Sequence, residues 1–221
     1  MKQNISVVLL GAGKSGRFKS NTIKQNFFIN NKSIVDYSRD FFSKNFPKSK
    51  IYLIINNKVI VKKIRSNELV IYGSSSRLKS LYQSLEYIFK NNLQTKYTMI
   101  HDIARPALNI NDIKKLIKSM KAGIDGSTLG YPLTNAIKEV KKNLIMNNIC
   151  RDNIWSSFTP QIFNTEKLYV SVCNMMDNDY MVDDDVESLL ISNFKCSVVK
   201  SSPNNIKVTY IEDIEVLKKI L

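Results

Sequence analysis

A short run without a charged residue, Ile5-Ser6-Val7-Val8-Leu9-Leu10, enters Gly11-Ala12-Gly13-Lys14-Ser15-Gly16-Arg17-Phe18 and then Lys24-Gln25. An apolar run of this length reads as a buried strand of the kind found in sheets covered on both faces. The loop after it is built from small residues, so backbone amides can approach anionic oxygens with no Cβ in the way, and fixed cations stand beyond it. A helix starting behind such a loop would add roughly 0.3–1 kcal/mol per favourable charge. The first twenty-five residues therefore point to a polyphosphate site at the end of a strand.

Three other readings of that loop compete. Gly13-Lys14-Ser15 imitates the end of a P-loop, but the first glycine of a P-loop would fall at Val8, a strand residue that cannot make the turn. Gly11-Ala12-Gly13-Lys14-Ser15-Gly16 satisfies the dinucleotide fingerprint, which wants an acidic residue ending the second strand to hold a ribose. Here Asp36 lies in a helix-period segment and the next strand, Ile51 to Ile55, ends in Asn56-Asn57. The third reading is a glycine turn that merely joins strand to helix.

With 221 residues, 43% of them hydrophobic, the chain is long enough to bury a core, and one domain over 1–221 is expected. Cys150, Cys173 and Cys196 are odd in number and widely spaced, which argues against a disulfide framework or a zinc site and for a reducing, cytoplasmic setting. The N-terminal apolar run is too short for a secretory signal or a membrane span, so no membrane is expected. A net charge of +14 raises the question of a nucleic-acid partner. Lys and Asn are dispersed throughout, as in Asn30-Asn31-Lys32 and Lys141-Lys142-Asn143, and no arginine-rich block alternates with aromatics. Solvated faces account for that pattern, and no nucleic acid is expected.

Strands and helix-period segments alternate: strand 6–10, helix 34–42, strand 51–55, helix 76–89, strand 97–101, helix 110–120. The spacing predicts a mostly parallel α/β sheet flanked by helices, with ligands collecting at the carboxyl ends of its strands, where the glycine loop and His101-Asp102 both fall. From Gly126 to Trp155 the pattern changes to a strand and then an extended hairpin, a protruding β-arm over about 132–155. A hairpin alone is marginal in water, so it should pack on something else, a second subunit being one choice. The tail returns to α/β, with a helix capped within Asp183-Asp184-Asp185, a strand 196–200 and a helix 211–221.

Six motifs fall in a definite order: Gly11-Ala12-Gly13-x-x-x-Arg17-Phe18; Lys24-Gln25; Arg77-x-x-Ser80; His101-Asp102-x-Ala104-Arg105-Pro106; Arg151-x-x-x-Trp155-x-x-x-Thr159-Pro160-Gln161; and Asn205-Ile206-Lys207-Val208-Thr209. The ordered set resembles the 2-C-methyl-D-erythritol 4-phosphate cytidylyltransferases of non-mevalonate isoprenoid synthesis, over nearly the whole chain. The resemblance implies a Rossmann-like, nucleotidyltransferase-type fold and a homodimer joined through the β-arm. It implies transfer of CMP from CTP to a polyol phosphate with Mg²⁺ present and pyrophosphate leaving. Ribitol 5-phosphate cytidylyltransferases share the architecture, so ribitol 5-phosphate or another sugar or polyol phosphate is the alternative acceptor.

The same resemblance implies residue roles. Arg17, Lys24 and Lys207 would stabilise the transferring phosphoryl group, and Ala12, Gly13, Ser15 and Gly16 would cradle the triphosphate. Ser75 and Ser80 would read the nucleoside, although Ser-Ser-Ser ahead of a helix also reads as an N-cap. Asp102 would face metal, ribose and substrate, because a carboxylate suits a hard Mg²⁺. Arg105, Ala136, Arg151, Thr159, Asp183 and Lys207 would line the polyol side, with Arg151 reaching the neighbouring subunit's substrate phosphate. His101, a single histidine ending a strand, reads as a structural hydrogen-bonder.

The sequence departs from the family pattern at several positions. Ile23 replaces a proline, Asn26 an aromatic residue and Ser15 a glycine, which bears on loop stiffness. Ala136 stands in place of a threonine, and Val182 or Asp183 in place of another, which bears on the acceptor.

Overall fold

The computed structural model describes residues 4–74 and 76–221. Ile5–Gly11 forms β1, and its residues alternate between two cores. Val7 and Leu9 join one apolar cluster and Val8 and Leu10 the other. This period of two explains why the strand carries no charged residue: both faces are covered. No α-helix follows the loop at once, and the first one falls where the sequence placed it, from Ile34. Gly16–Phe18 and Lys24–Asn26 are single 3-10 turns, followed by a small hairpin of β2 (Phe28–Ile29) and β3 (Lys32–Ser33). The first helix, α1, is Ile34–Asn45, started by the Ser33 hydroxyl accepting from the Asp36 N–H.

The chain continues through β4 (Ile51–Ile55), β5 (Glu68–Tyr72), α2 (Arg77–Lys90), β6 (Tyr97–Asp102), α3 (Ile110–Ser119) and β7 (Gly126–Pro132). Then come β8 (Ile137–Lys141), β9 (Leu144–Ile149), β10 (Trp155–Asn164), α4 (Thr165–Asp177), α5 (Asp185–Ile191), β11 (Cys196–Lys200) and α6 (Asp213–Ile220). Seven strands make one sheet in the order β11-β7-β10-β6-β1-β4-β5. All neighbours are parallel except β10, which runs antiparallel to both β6 and β7. One face is covered by α1, α3 and α6 through Phe42, Ile113 and Leu217, the other by α2, α4 and α5 through Leu85, Val172 and Leu189.

Strand order reverses beside β1: the chain steps outward to β4 and β5, then returns to β6 on the other side. That reversal opens a crevice at the carboxyl ends of β1 and β6, the place where open α/β sheets bind ligands. β8 and β9 pair only with each other and stand away from the sheet as a hairpin. Among the described residues no helix is long and apolar enough to cross a membrane.

Besides the small hairpin of β2 and β3, three elements were not foreseen. β5 is an edge strand whose residues are mostly half-exposed, although Leu69-Val70-Ile71-Tyr72 is an apolar run like that of β1. β10 contains Pro160, which cannot donate to a ladder; its register shifts between Phe158 and Gln161, and the irregularity accommodates the proline. α4 follows it directly, capped by Asn164 accepting from the Lys167 N–H. The last helix begins at Asp213 and not at Ile211.

Candidate active site

The crevice is a cleft of about 170 Å³, with Ala12, Gly13, Lys24, Gln25, Ser80, Arg77, Asp102 and Lys207 among its walls. Its floor is the glycine loop, and the loop's shape comes from amide side chains. Gln25, buried, donates from Nε2 to the carbonyls of Gly11 at 2.7 Å and Gly13 at 2.9 Å. Asn56 donates to the carbonyl of Ala12 at 3.0 Å. In a trans peptide the C=O of one residue and the N–H of the next point in opposite directions. Tying back these carbonyls therefore turns the N–H groups of Ala12, Gly13 and Lys14 away from Gln25 and Asn56, in the manner of an anion nest. A Cβ placed on Gly13 would meet nothing within 4 Å, so the loop is open on that side.

Ser15 sits in the left-handed region at φ 59°, a conformation in which a glycine is usual and a serine costs roughly 1–2 kcal/mol. Its hydroxyl offsets part of that cost, donating to Gln25 Oε1 at 3.0 Å and accepting from the Lys24 N–H at 3.2 Å. Gly16 and Arg17 form the exposed 3-10 turn at the rim.

Lys24 reaches from this loop to the C-terminal segment, donating from Nζ to the Val208 carbonyl at 2.9 Å. Burial lowers its pKa, and the nearby Lys207 lowers it further. Residues 205–208 cross the carboxyl end of β6 and the middle of β10 as a strap. Arg105 donates to the Asn205 carbonyl at 2.7 Å, the Val208 N–H to the Ala104 carbonyl at 2.8 Å, and Asn205 Nδ2 to the Thr159 carbonyl at 2.8 Å. The strap carries Lys207 onto Asp102, Nζ to Oδ2 at 2.7 Å.

Asp102 ends β6 and is the carboxylate that lines the cleft. Its N–H donates to Thr159 Oγ1 at 3.0 Å, and its other oxygen, Oδ1, accepts from Arg77 Nε at 3.1 Å. Burial pushes its pKa up, but Arg77 and Lys207 outweigh burial and hold it well below the usual carboxylate range. His101 beside it is fully buried, with Nε2 3.1 Å from the Arg105 carbonyl and Nδ1 3.4 Å from Thr159 Oγ1. Burial lowers its pKa to about 3, so the ring is neutral and braces the turn that carries Asp102.

Ser80 is buried at the first turn of α2. It accepts from the Ser74 N–H at 3.0 Å and donates to the Ser76 carbonyl at 2.8 Å, while Ser76 serves as the N-cap by accepting from the Lys79 N–H. The N-cap reading of the serine run is thus met by Ser76, and Ser80 stands at the cleft wall. Ser75 lies outside the described residues. Arg105 is half-buried over the Phe158 ring at 5.3 Å, with its pKa lowered by burial.

The structure brings Ala12, Gly13, Lys24, Ser80, Asp102 and Lys207 to one cleft, with Thr159 directly behind Asp102. Ala136 and Arg151 lie instead at the exposed base of the hairpin, where Arg151 donates to the Thr134 carbonyl. Asp183 is exposed just ahead of α5, its N–H donating to Glu187 Oε2 at 2.6 Å. Two site-building residues had no role assigned from sequence. Gln25 was visible only as part of a motif, and the contact of Arg77 with Asp102 joins residues 25 positions apart.

No group of three or more His, Cys, Asp or Glu able to hold a metal occurs among the described residues. A magnesium ion that arrives on a triphosphate needs only one or two carboxylates, since phosphate oxygens and waters complete its shell. Each Asp102 oxygen accepts one hydrogen bond from a cation and keeps further lone-pair capacity, so the residues present fit such an ion.

A family profile described as 2-C-methyl-D-erythritol 4-phosphate cytidylyltransferase matches residues 5–221. A protein of that name from Wigglesworthia glossinidia brevipalpis is 30% identical over 216 residues, spanning 95% of this chain and 92% of its own. A bifunctional enzyme from Pelagibacter ubique is 32% identical over 96% of this chain and 56% of its own length. The crystal structure of a 2-C-methyl-D-erythritol 4-phosphate cytidylyltransferase from Francisella tularensis superimposes with a TM-score of 0.85 at 26% identity, covering 99% of this chain and 100% of that one.

Proposed function

This chain belongs to the 2-C-methyl-D-erythritol 4-phosphate cytidylyltransferase family, and from that premise we propose how its cleft joins a nucleotide to a polyol phosphate. The reaction is CTP-dependent cytidylyl transfer to 2-C-methyl-D-erythritol 4-phosphate. A phosphate oxygen of the acceptor forms a bond to the α-phosphorus of CTP, the bond to the bridging α–β oxygen breaks, and pyrophosphate leaves.

A phosphate monoester has its second pKa near 6 and is largely a dianion at neutral pH, so no protein base has to create the nucleophile. This suits a cleft whose neighbouring histidine is buried and neutral. The barrier is the approach of one anion to another. Catalysis then consists of fixed positive charge and alignment, which the site supplies from opposite walls. Lys24 and Arg17 from the glycine loop and Lys207 from the strap hold the triphosphate and the charge that develops at phosphorus. The N–H groups of Ala12 and Gly13, with the turn at Ser15 and Gly16, cradle the phosphates. Ser80, with Ser75, reads the nucleoside. Asp102 would hold a magnesium ion, which when bound neutralises part of the triphosphate charge.

The acceptor side is Asp102, Arg105, Thr159 and Lys207, completed at the dimer by Ala136, Arg151 and Asp183. We propose that the whole of 1–221 is one catalytic domain and that the arm over about 132–155 dimerises. The hairpin exposes Val140, Leu144, Ile145 and Met146, the last three by 69%, 67% and 54%. A lone hairpin with that much apolar surface is marginal, and a second copy would cover it. Three free cysteines fit a cytoplasmic setting.

The observation that carries the reading is the convergence of Lys24, Asp102 and Lys207 on one cleft at the carboxyl ends of β1 and β6. Pyrophosphate release measured with each of the four nucleoside triphosphates and with methylerythritol or ribitol phosphate tests it. Turnover confined to CTP with methylerythritol phosphate is expected, and no release with any pair would overturn it.

A further inference from the structure

From Asp102 and Lys207 a ladder of alternating charges runs out of the cleft through Arg77 and Asp185, two residues that the chemistry above does not use. Asp185, only 1% exposed at its side chain, accepts two hydrogen bonds from Arg77, from Nη1 at 2.6 Å and Nη2 at 2.8 Å. The third nitrogen of the same guanidinium, Nε, reaches Asp102 Oδ1, and Asp102 Oδ2 in turn holds Lys207. We propose that Arg77 is a positioning residue of the transfer reaction: clamped by Asp185, it fixes the Asp102 carboxylate so that Oδ2 faces Lys207 and the reacting phosphates. This deepens the functional reading given above and rests on it.

The geometry separates a rigid half of the ladder from a movable one. Asp185 opens α5, and its neighbour Asp184 both caps that helix and accepts from Ser157 Oγ and Gln161 Nε2, each at 2.8 Å. Those bonds fasten the start of α5 to β10, and the bidentate pair ties Arg77 to that anchored, buried end. Lys207 is a flexible side chain, 39% exposed, on the strap. Asp102 therefore has one partner that sets its orientation and one that can exchange toward an incoming phosphate.

Charge and shape make separate demands. The four groups balance, two carboxylates against two cations. Without Arg77 two carboxylates would face a single ammonium beside a triphosphate, which would repel the nucleotide. A lysine at position 77 would keep the balance but could not bond Asp185 twice and Asp102 once, because an ammonium lacks the planar fork. Burial opposes the charge on Arg77, but Asp185 and Asp102 more than offset it and keep the guanidinium protonated.

The test is pyrophosphate release from CTP and methylerythritol phosphate by the full chain carrying Arg77→Lys, Arg77→Gln, Asp102→Asn and the pair Arg77→Lys with Asp102→Asn. Arg77→Lys should lower kcat about tenfold or more with KM for CTP within threefold of the parent. Arg77→Gln should in addition raise that KM about tenfold. In the Asp102→Asn background, with no carboxylate left to orient, Arg77→Lys should change kcat less than twofold. Independent, multiplicative losses in the pair, or an Arg77→Lys enzyme as fast as the parent, would overturn the proposal. Melting curves accompany each variant, and Asp185→Asn repeats the test from outside the cleft. If neither Arg77→Lys nor Asp185→Asn gives a folded protein, the ladder serves stability and the proposal fails. A parent chain that releases no pyrophosphate removes the functional reading itself, whereas an active parent with an unimpaired Arg77→Lys removes only the role of Arg77.

Discussion

Replacing Gln25 by leucine removes the device that shapes the phosphate loop while keeping nearly the same side-chain bulk. Gln25 is 2% exposed and makes three hydrogen bonds, to the Gly11 and Gly13 carbonyls and from the Ser15 hydroxyl. Leaving a buried acceptor unpaired costs about 1–3 kcal/mol, so two orphaned carbonyls set an upper range of about 2–6 kcal/mol. The loop lowers that cost by rotating its peptides until the carbonyls find water. Each such rotation also reverses the following N–H, removing it from the nest. The account therefore places most of the loss in nucleotide handling: kcat/KM for CTP should fall about 10²-fold, equivalent to about 2.7 kcal/mol. Steady-state pyrophosphate release at varied CTP reads this, alongside a thermal melt. A variant that melts lower yet keeps kcat/KM within threefold of the parent would refute the reasoning, because Gln25 would then act only in packing.

Lys24→Ala and Lys207→Ala should each lower kcat by about 10²-fold or more, the loss of a transition-state contact worth about 2.7–4 kcal/mol, and single-turnover rates check it. Gly73→Ala would set a Cβ 2.6 Å from the Ala12 Cβ and 2.9 Å from Ser80 Oγ; overpacking of about 1–3 kcal/mol should lower Tm by several degrees and raise KM for CTP. His101 is neutral in the fold with its pKa lowered to about 3, against about 6.5 unfolded. Its contribution is thus complete above about pH 6.5 and declines by up to ~1.4 kcal/mol per unit as pH falls toward 3, since the unfolded chain binds the extra proton. Urea midpoints at pH 7 and pH 5 should differ less in His101→Gln than in the parent. Replacing the hairpin 138–148 by a short turn should yield monomers in ultracentrifugation and a loss of turnover, since Arg151 would no longer reach a partner's cleft.

How far the sequence revealed this architecture depended on whether an element announces itself locally. β1 and β4 carry unbroken apolar runs because both their faces are covered, and such runs cannot be hidden. α2 and α3 show an apolar face at helical spacing behind a polar cap, Ser76 and Asn109. β10 was masked by Pro160, whose place at a register shift is set by neighbouring strands and not by its own segment. The absence of a helix behind the glycine loop has a similar cause. Gln25 and Asn56 shape that loop from outside it, and two 3-10 turns take the place of the helix.

Site residues divide the same way. Those carried by a strand end or a glycine turn, such as Gly13, Lys24 and Asp102, could be proposed from motif order alone. The Arg77 fork could not, because its partners Asp102 and Asp185 stand 25 and 108 residues away and only the folded sheet brings them together. Ala136, Arg151 and Asp183 lie on exposed segments, so a single chain does not bring them to the cleft and their place in a site rests on the proposed dimer.

The central claim is that anionic reactants meet in the cleft between the glycine loop and the strap. A crystal structure of the chain with CTP, Mg²⁺ and methylerythritol phosphate tests it most directly. The account predicts the triphosphate within hydrogen-bonding distance of the Gly13 N–H, Lys24 Nζ and Lys207 Nζ, with the nucleoside against Ser80. A nucleotide seated elsewhere, or a triphosphate touching neither lysine, would contradict it.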